Sequence, residues 1–254
     1  MADLTGKTIL LTGASSGIGA STAKVLGASG ASLIAHYGSN RQGTLDAVAD
    51  VPDERKILLQ ADLSTPGASR TLWAEAMAWH GHVDVLVNNA GIMPETPLEA
   101  SDDDWDSAWR AAFQVNVFEP ANLIREAVRT YRESGGGIII SLSSWAAQQG
   151  STIAQLTAYS SSKAAIKALT QTIARAHARD NVLAYVVAPG IVRTKMSEIS
   201  ATARGGEDKV RAILPLGDMI PPSEVGELVA FLSSGTCRHL TGATLDINGA
   251  AYVR

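Results

Sequence analysis

The chain has 254 residues, 46% of them hydrophobic and 18% charged, with a net charge of −4 and a pI near 5.7. That length fits one large α/β domain or two small ones, and the acidic balance without a basic run argues against general nucleic-acid binding. Cys237 is the only cysteine, which excludes an intramolecular disulfide and a CxxC metal or redox site, and the five histidines show no ligand spacing.

Taken in order, Lys7 to Thr12 is an apolar run ending at Gly13 and reads as a parallel strand covered on both faces. No basic region precedes it and no cleavage signal follows. Nothing in the chain reaches the ~20 apolar residues of a membrane span, so a cytoplasmic protein without membrane partners is expected. Gly13-Ala14-Ser15-Ser16-Gly17-Ile18-Gly19 comes next, then a helical pattern. Strand, glycine turn and helix in that order are the setting of a dinucleotide-binding loop. There the backbone can approach a pyrophosphate, and the helix start offers free amides.

Ala31 to His36 reads as the second strand. In doubly wound folds an acid near its end receives the ribose 2′-hydroxyl of NAD, but here the strand runs into His36-Tyr37 and no carboxylate appears before Asp46. Arg41 can pair with a 2′-phosphate, with Ser39 and Asn40 as further donors, so NADP(H) is favoured over NAD(H). The competing reading makes Arg41 a solvated residue at the start of the next helix. Residues 55–61 form a third strand ending at Asp62. That carboxylate either accepts from an adenine amino group or caps the helix that begins near Pro66. A helix over 67–80 leads to a fourth strand over 83–88, ending in Asn88-Asn89-Ala90-Gly91.

Ser101, followed by Asp102, Asp103 and Asp104, caps a helix with acids at its positive end, a structural cluster rather than a metal site. Trp105 and Trp109 fall on one face and are expected to pack inward. Asn116 is a polar residue amid Val115, Val117 and Phe118, so it is either structural glue or part of a site. Pro120 loosens the helix near it. Gly135 to Gly137 precede a fifth strand, and Leu183 to Val187 form a sixth that ends in Ala188-Pro189-Gly190. Residues 191–217 are mixed in character, as a lid would be. A helix from Pro222 and a last strand, Thr244 to Ile247, complete the pattern of one parallel-sheet domain over residues 1–254.

Between these elements lies Ile138 to Lys163. Tyr159 and Lys163 are four residues apart in a helical segment, so they share a face. An ammonium beside a phenol favours the phenolate and lowers the tyrosine pKa, which suits proton transfer at neutral pH. Taken alone, such a pair also arises by chance on any helix.

Together these residues resemble the classical short-chain dehydrogenase/reductase family. Thr12-Gly13 through Gly19 matches its TGxxxGIG loop and Asn88 to Gly91 its NNAG element. Asn116, Ser144, Tyr159 and Lys163 match its tetrad, Pro189-Gly190 its turn after the sixth strand, and Thr194 its nicotinamide-side threonine. The resemblance implies a Rossmann-type doubly wound α/β fold, a seven-stranded parallel sheet with helices on both faces, similar to 3-oxoacyl-[acyl-carrier-protein] reductases. It implies an NAD(P)(H)-dependent oxidoreductase, with reduction of a ketone or aldehyde by NADPH expected first. The alternatives are an NAD-dependent alcohol dehydrogenase running oxidatively, and a non-catalytic cofactor sensor. Tyr159 would be the general acid/base. Lys163 would lower its pKa, Ser144 would hold the substrate oxygen, and Asn116 would hold a water chain. The cofactor would touch Gly13, Ser15, Ser16, Gly17, Ile18 and Gly19 in the loop, and Tyr37, Ser39, Asn40 and Arg41 after the second strand. It would also touch Asp62, Leu63, Asn89, Ala90, Gly91, Tyr159, Lys163, Pro189, Gly190, Ile191, Val192 and Thr194.

The implied partners are a small carbonyl or alcohol substrate and copies of the same chain in a homotetramer or homodimer. Either Ser143 or Ser144 offers a hydroxyl, and the family pattern favours Ser144. Ser16 stands where many NADP(H) members are basic. The stretch from Ser144 to Tyr159 is longer than in the similar reductases, so the substrate loop 145–157 is expected to differ. Met93, Trp145, Leu156, Ile191 and Met196, with Gln148, Gln149 and Gln155, would line a pocket for an apolar or mixed ligand.

Overall fold

A computed structural model describes residues 2–197 and 206–253. Seven strands form one all-parallel sheet in the order β3-β2-β1-β4-β5-β6-β7: β1 Thr8–Leu11, β2 Ser32–Tyr37, β3 Lys56–Gln60, β4 Val85–Asn88, β5 Gly137–Leu142, β6 Val182–Pro189 and β7 Thr244–Ile247. The strands fall where the apolar runs place them, shifted by a residue or two at their ends. Alternation along each strand divides the core. Ile9, Leu11, Val85, Val87 and Ile140 face one side, where α1 (Gly17–Ala28), α2 (Arg41–Ala47) and α9 (Pro222–Ser233) cover them. Leu10, Leu86 and Ile139 face the other, under α3 (Ala68–His80), α5 (Glu119–Ser134) and α7 (Thr157–His177), the last preceded by the short α6 (Ala146–Gln149). Burial on both faces explains why the strands read as unbroken apolar runs rather than alternating ones.

The strand order reverses between β1 and β4, and the carboxyl ends of these two strands open the crevice where ligands of such sheets bind. α4 (Asp102–Phe113) starts at Ser101, whose hydroxyl accepts from the Asp104 amide at 3.2 Å, so the acids there complete a cap. Trp105, Trp109 and Phe113 stack along α4 with successive ring centroids 5.7 Å apart, and Trp105 and Trp109 are half-buried rather than in the core.

Between α4 and α5 the chain makes a π-helical turn over Gln114–Phe118. Pro120 has no amide hydrogen to give the carbonyl four residues back, and the Glu119 amide bonds Gln114 instead, so the helix widens where Asn116 sits. The expected lid over 191–217 falls in part on 198–205, outside the described residues. At its described ends, Val192 pairs with Ile220, and a short helix, α8, spans Glu207–Ala212. No helix among the described residues is long and apolar enough to cross a membrane.

Candidate active site

The loop after β1 is built for close approach. Gly13 has φ +70°, and a Cβ there would lie 2.9 Å from the Ala90 Cα, so only glycine lets the loop pass the β4 end. A Cβ at Gly19 would strike the Gly13 carbonyl. Ser16 precedes α1 but makes no side-chain cap, and the first turn carries no acid. The first amides of a 12-residue helix therefore face the crevice with neither a cap nor a negative charge to satisfy them.

The crevice is a cleft of about 470 Å³. Of the residues expected to hold a cofactor, Gly13, Ser15, Ser16, Gly17, Ile18, Gly19, Asp62, Leu63, Asn89, Ala90, Gly91, Tyr159, Lys163, Pro189 and Thr194 line it. Gly190, Ile191 and Val192 instead line a smaller adjoining cavity. Four expectations are not met on these walls: Tyr37, Ser39, Asn40 and Arg41. Tyr37 is buried, at 7% exposure. Asn40 caps α2, accepting from the Gly43 amide at 3.0 Å while its amide reaches the Ser15 carbonyl. Arg41 opens α2 as an exposed residue. Asp62 lines the cleft but does not cap α3, which begins at Ala68. Its carboxylate accepts from the Ser64 amide and hydroxyl. His36, Gly38 and Lys195 lie on the walls although the motif did not point to them. The position of His36 at a strand's carboxyl end was the available signal.

The tetrad residues meet at one place. Lys163 is 6% exposed, and its ammonium donates to the Leu142 carbonyl at 2.9 Å. The Asn116 Oδ1 accepts from the Ile92 amide at 2.9 Å, while its Nδ2 donates to the Ile92 carbonyl at 2.9 Å and to Ser162 Oγ at 3.0 Å. Built from Gly91, a Cβ would lie 3.1 Å from Asn116 Oδ1 and 3.2 Å from Lys163 Nζ, so both polar heads crowd this glycine. The two serines separate by their surroundings. Ser143 donates to the Lys163 main-chain carbonyl at 2.7 Å, whereas Ser144 accepts from the Ala146 amide at 3.2 Å and shares the smaller cavity's wall with Tyr159, close enough to act on its phenol.

The expectation of a tyrosine pKa lowered overall is corrected. Burial raises the Tyr159 phenol above its ordinary value, and the Ser144 hydroxyl only partly opposes this. The same burial pushes the Lys163 ammonium down to about 8. Its Nζ lies 5.9 Å from the phenol ring centroid and spends a hydrogen on a carbonyl.

The smaller cavity, about 150 Å³, shares Ile18, Ser143, Tyr159, Pro189, Thr194 and Met196 with the cleft. The residues expected in the substrate pocket, Met93, Trp145, Leu156, Ile191, Met196 and Gln149, all line it. Gln148 and Gln155 do not. The Gln148 side chain takes a bond from Lys167, and the Gln155 carbonyl is bonded by Thr96. No described lining residue carries a charged side chain.

A cleft with free helix amides and an apolar cavity meet at half-buried Tyr159, an arrangement that suits a nucleotide-dependent α/β oxidoreductase. Comparison with known proteins agrees. A family model described as enoyl-(acyl carrier protein) reductase matches residues 13–250. A short-chain type dehydrogenase/reductase of Sinorhizobium fredii is 31% identical over 98% of this chain and 99% of its own. A cis-4-hydroxycyclohexanecarboxylate dehydrogenase of Sinomonas cyclohexanicum is 32% identical over 94% of each. A crystal structure of a dehydrogenase/reductase from Sinorhizobium meliloti superposes with a TM-score of 0.86 at 31% identity, covering 99% of this chain and 97% of that one. The chain belongs to the classical short-chain dehydrogenase/reductase family, oxidoreductases that act on CH–OH groups with NAD(P) cofactors.

Proposed function

We propose that this protein reduces the carbonyl of a compact, uncharged ketone or aldehyde to an alcohol, with Tyr159 as proton donor. The observation that carries this reading is the position of Tyr159 where the two cavities join, with Ser144 beside it on the wall of the smaller one. The bound nicotinamide supplies the hydride. The chain's own residues then have three tasks. Ser144 holds the substrate oxygen and stabilises the negative charge that grows on it. Tyr159 gives that oxygen a proton, and a phenol raised by burial keeps its proton at neutral pH. Lys163, held beside the phenol and positive below about 8, offsets the phenolate left behind. Oxidation would require the phenol to be empty of its proton first, which burial opposes.

The glycine loop, the uncapped α1 amides and Asp62 fit a dinucleotide. NADP(H) remains the favoured form because β2 ends without a carboxylate. A second reading, NAD(H), is favoured by one observation: Ser39, Asn40 and Arg41 stand off the cleft walls. The substrate class follows from the walls. Among the described lining residues a carboxylate would find no charged partner, which favours an uncharged substrate. The relative named for a hydroxycyclohexanecarboxylate acts on a charged molecule, and this chain is proposed to differ. Matched ketones, each as methyl ester and as free acid, should be offered with NADPH and with NADH. Consumption of reduced cofactor with the esters and little with the acids is expected. Turnover of the acids would overturn the substrate class, and silence across a broad carbonyl panel would overturn the reaction.

A further inference from the structure

His36 is the last residue but one of β2 and is 2% exposed. Its Nδ1 accepts from the Gly13 amide at 3.1 Å, and its Nε2 bonds the Ala61 carbonyl at 2.9 Å. An amide can only donate and a carbonyl can only accept, so the two partners fix one tautomer, with Nδ1 bare and Nε2 protonated. The main chain repeats the tie, since the Ala14 amide donates to the His36 carbonyl at 2.8 Å. The imidazole thus bridges the ends of β1 and β3, and it also lines the larger cleft. Gly13 is the residue whose left-handed backbone turns the chain toward the free amides of α1.

We propose that His36 is a positioning residue for the dinucleotide, whose neutral ring holds the Gly13 turn in its binding geometry and lets it go when protonated. A second proton would point N–H at N–H and remove the bond to Gly13. Burial already holds the imidazole below its ordinary value, so the bond is intact at neutral pH and fails only in acid. The neighbouring groups leave this to the ring alone. The β1–α1 turn and the end of β3 present main chain to it. Asp62, next after Ala61, is engaged with Ser64. Tyr37 follows on the opposite face of β2. The other titratable groups on the cleft walls, Tyr159, Lys163 and Lys195, make no bond to the ring among the described residues.

Two substitutions separate the two ring nitrogens. His36→Asn places an oxygen near the Nδ1 position and does not titrate. His36→Gln places its amide near the Nε2 position, keeping the Ala61 bond and leaving the Gly13 amide without an acceptor. Calorimetric titration with NAD⁺ and NADP⁺ reads affinity without turnover. For the wild-type protein, affinity should fall as pH is lowered from neutral through the titration of the ring, toward about tenfold once the ring is protonated, the loss of one buried hydrogen bond. His36→Asn should bind within about twofold of wild type at neutral pH and lose less in acid with the same ligand. His36→Gln should bind about tenfold more weakly at neutral pH. Ring nitrogen NMR of the unliganded wild-type protein should show a bare Nδ1 and a protonated Nε2, a result that needs no variant to fold. Wild-type affinity in His36→Gln, an acid loss in His36→Asn equal to the wild type's, or the reversed tautomer would each overturn the proposal.

Discussion

Replacing Glu119 by glutamine tests what holds the Asn116 turn in place. Glu119 is 1% exposed and reaches from the start of α5 to the start of α3. One carboxylate oxygen accepts from the Gly67 amide at 2.8 Å and the Gln114 amide group at 3.0 Å, and the other from the Ser69 amide at 2.9 Å and the Ser69 hydroxyl at 2.5 Å. A glutamine has one accepting oxygen, so in either orientation a main-chain amide, of Gly67 or of Ser69, meets an NH₂, and the Gln114 amide or the Ser69 hydroxyl must turn to accept. Each charge-assisted bond contributes about 1.5–3 kcal/mol, and removing a buried charge offsets part of the loss, leaving about 2–4 kcal/mol. For a chain of this size each kcal/mol moves Tm by about 2–4 °C, so a drop of roughly 5–15 °C is expected. The pH dependence has a defined sign. Burial by itself raises the Glu119 carboxyl, but the Ser69, Gly67 and Gln114 donors outweigh it and leave the group below its ordinary value. The folded state then binds fewer protons than the unfolded chain. The contribution is complete above the ordinary value of 4.5 and is lost as pH falls through the folded one. Melting followed by circular dichroism should show the wild-type advantage at neutral pH and its narrowing in acid. A Glu119→Gln protein melting within about 2 °C of wild type at neutral pH would refute this account.

Tyr159→Phe should reduce turnover by about 10²–10⁴-fold or more while leaving the dissociation constant for the cofactor nearly unchanged, measured by stopped-flow and fluorescence titration. Lys163→Met should abolish most activity yet raise Tm. Burial holds the ammonium at about 8 against an ordinary 10.5, a cost of about 3 kcal/mol that the apolar side chain avoids, reduced by the lost bond to Leu142. In the wild type the same cost is relieved as pH rises from about 8 toward 10.5, so stability should climb there, and a flat melting profile would contradict it. Arg41→Ala should raise KM for NADPH severalfold with KM for NADH unmoved. Equal values in both proteins would remove Arg41 from the choice of cofactor.

The sheet was legible because its strands are covered on both faces and so read as continuous apolar runs between glycine turns. The Tyr159 and Lys163 pair was legible because its spacing is local, four residues on one helix turn, whereas Asn116 and Ser144 were legible only through the family resemblance. What spacing could not convey was the environment. The ammonium beside Tyr159 suggested a lowered pKa, but the same packing that brings the pair together removes both from water, and burial prevails. The turn after β2 misled for a related reason. Asn40 has the chemistry to meet a phosphate, yet the start of α2 needed a cap, and that local demand took the side chain. His36 was passed over because its role depends on two main-chain partners, Gly13 and Ala61, that are distant in sequence.

Ser143 and Lys163 have a wider consequence. The Ser143 hydroxyl holds the main chain of residue 163, and the side chain of residue 163 holds the main chain of Leu142. The helix bearing Tyr159 is thus stitched to the strand end bearing Ser144 by two bonds that bypass the intervening segment. Residues 145–156, which supply much of the smaller cavity's wall, hang outside this stitch. The segment can lengthen, shorten or change sequence while the distance between the serine and the tyrosine stays set by the strand and the helix. The chemistry is thus held apart from part of the cavity wall, and a transplanted 145–156 segment is expected to move selectivity only in part, because Met93, Ile191, Met196 and Val210 complete that wall.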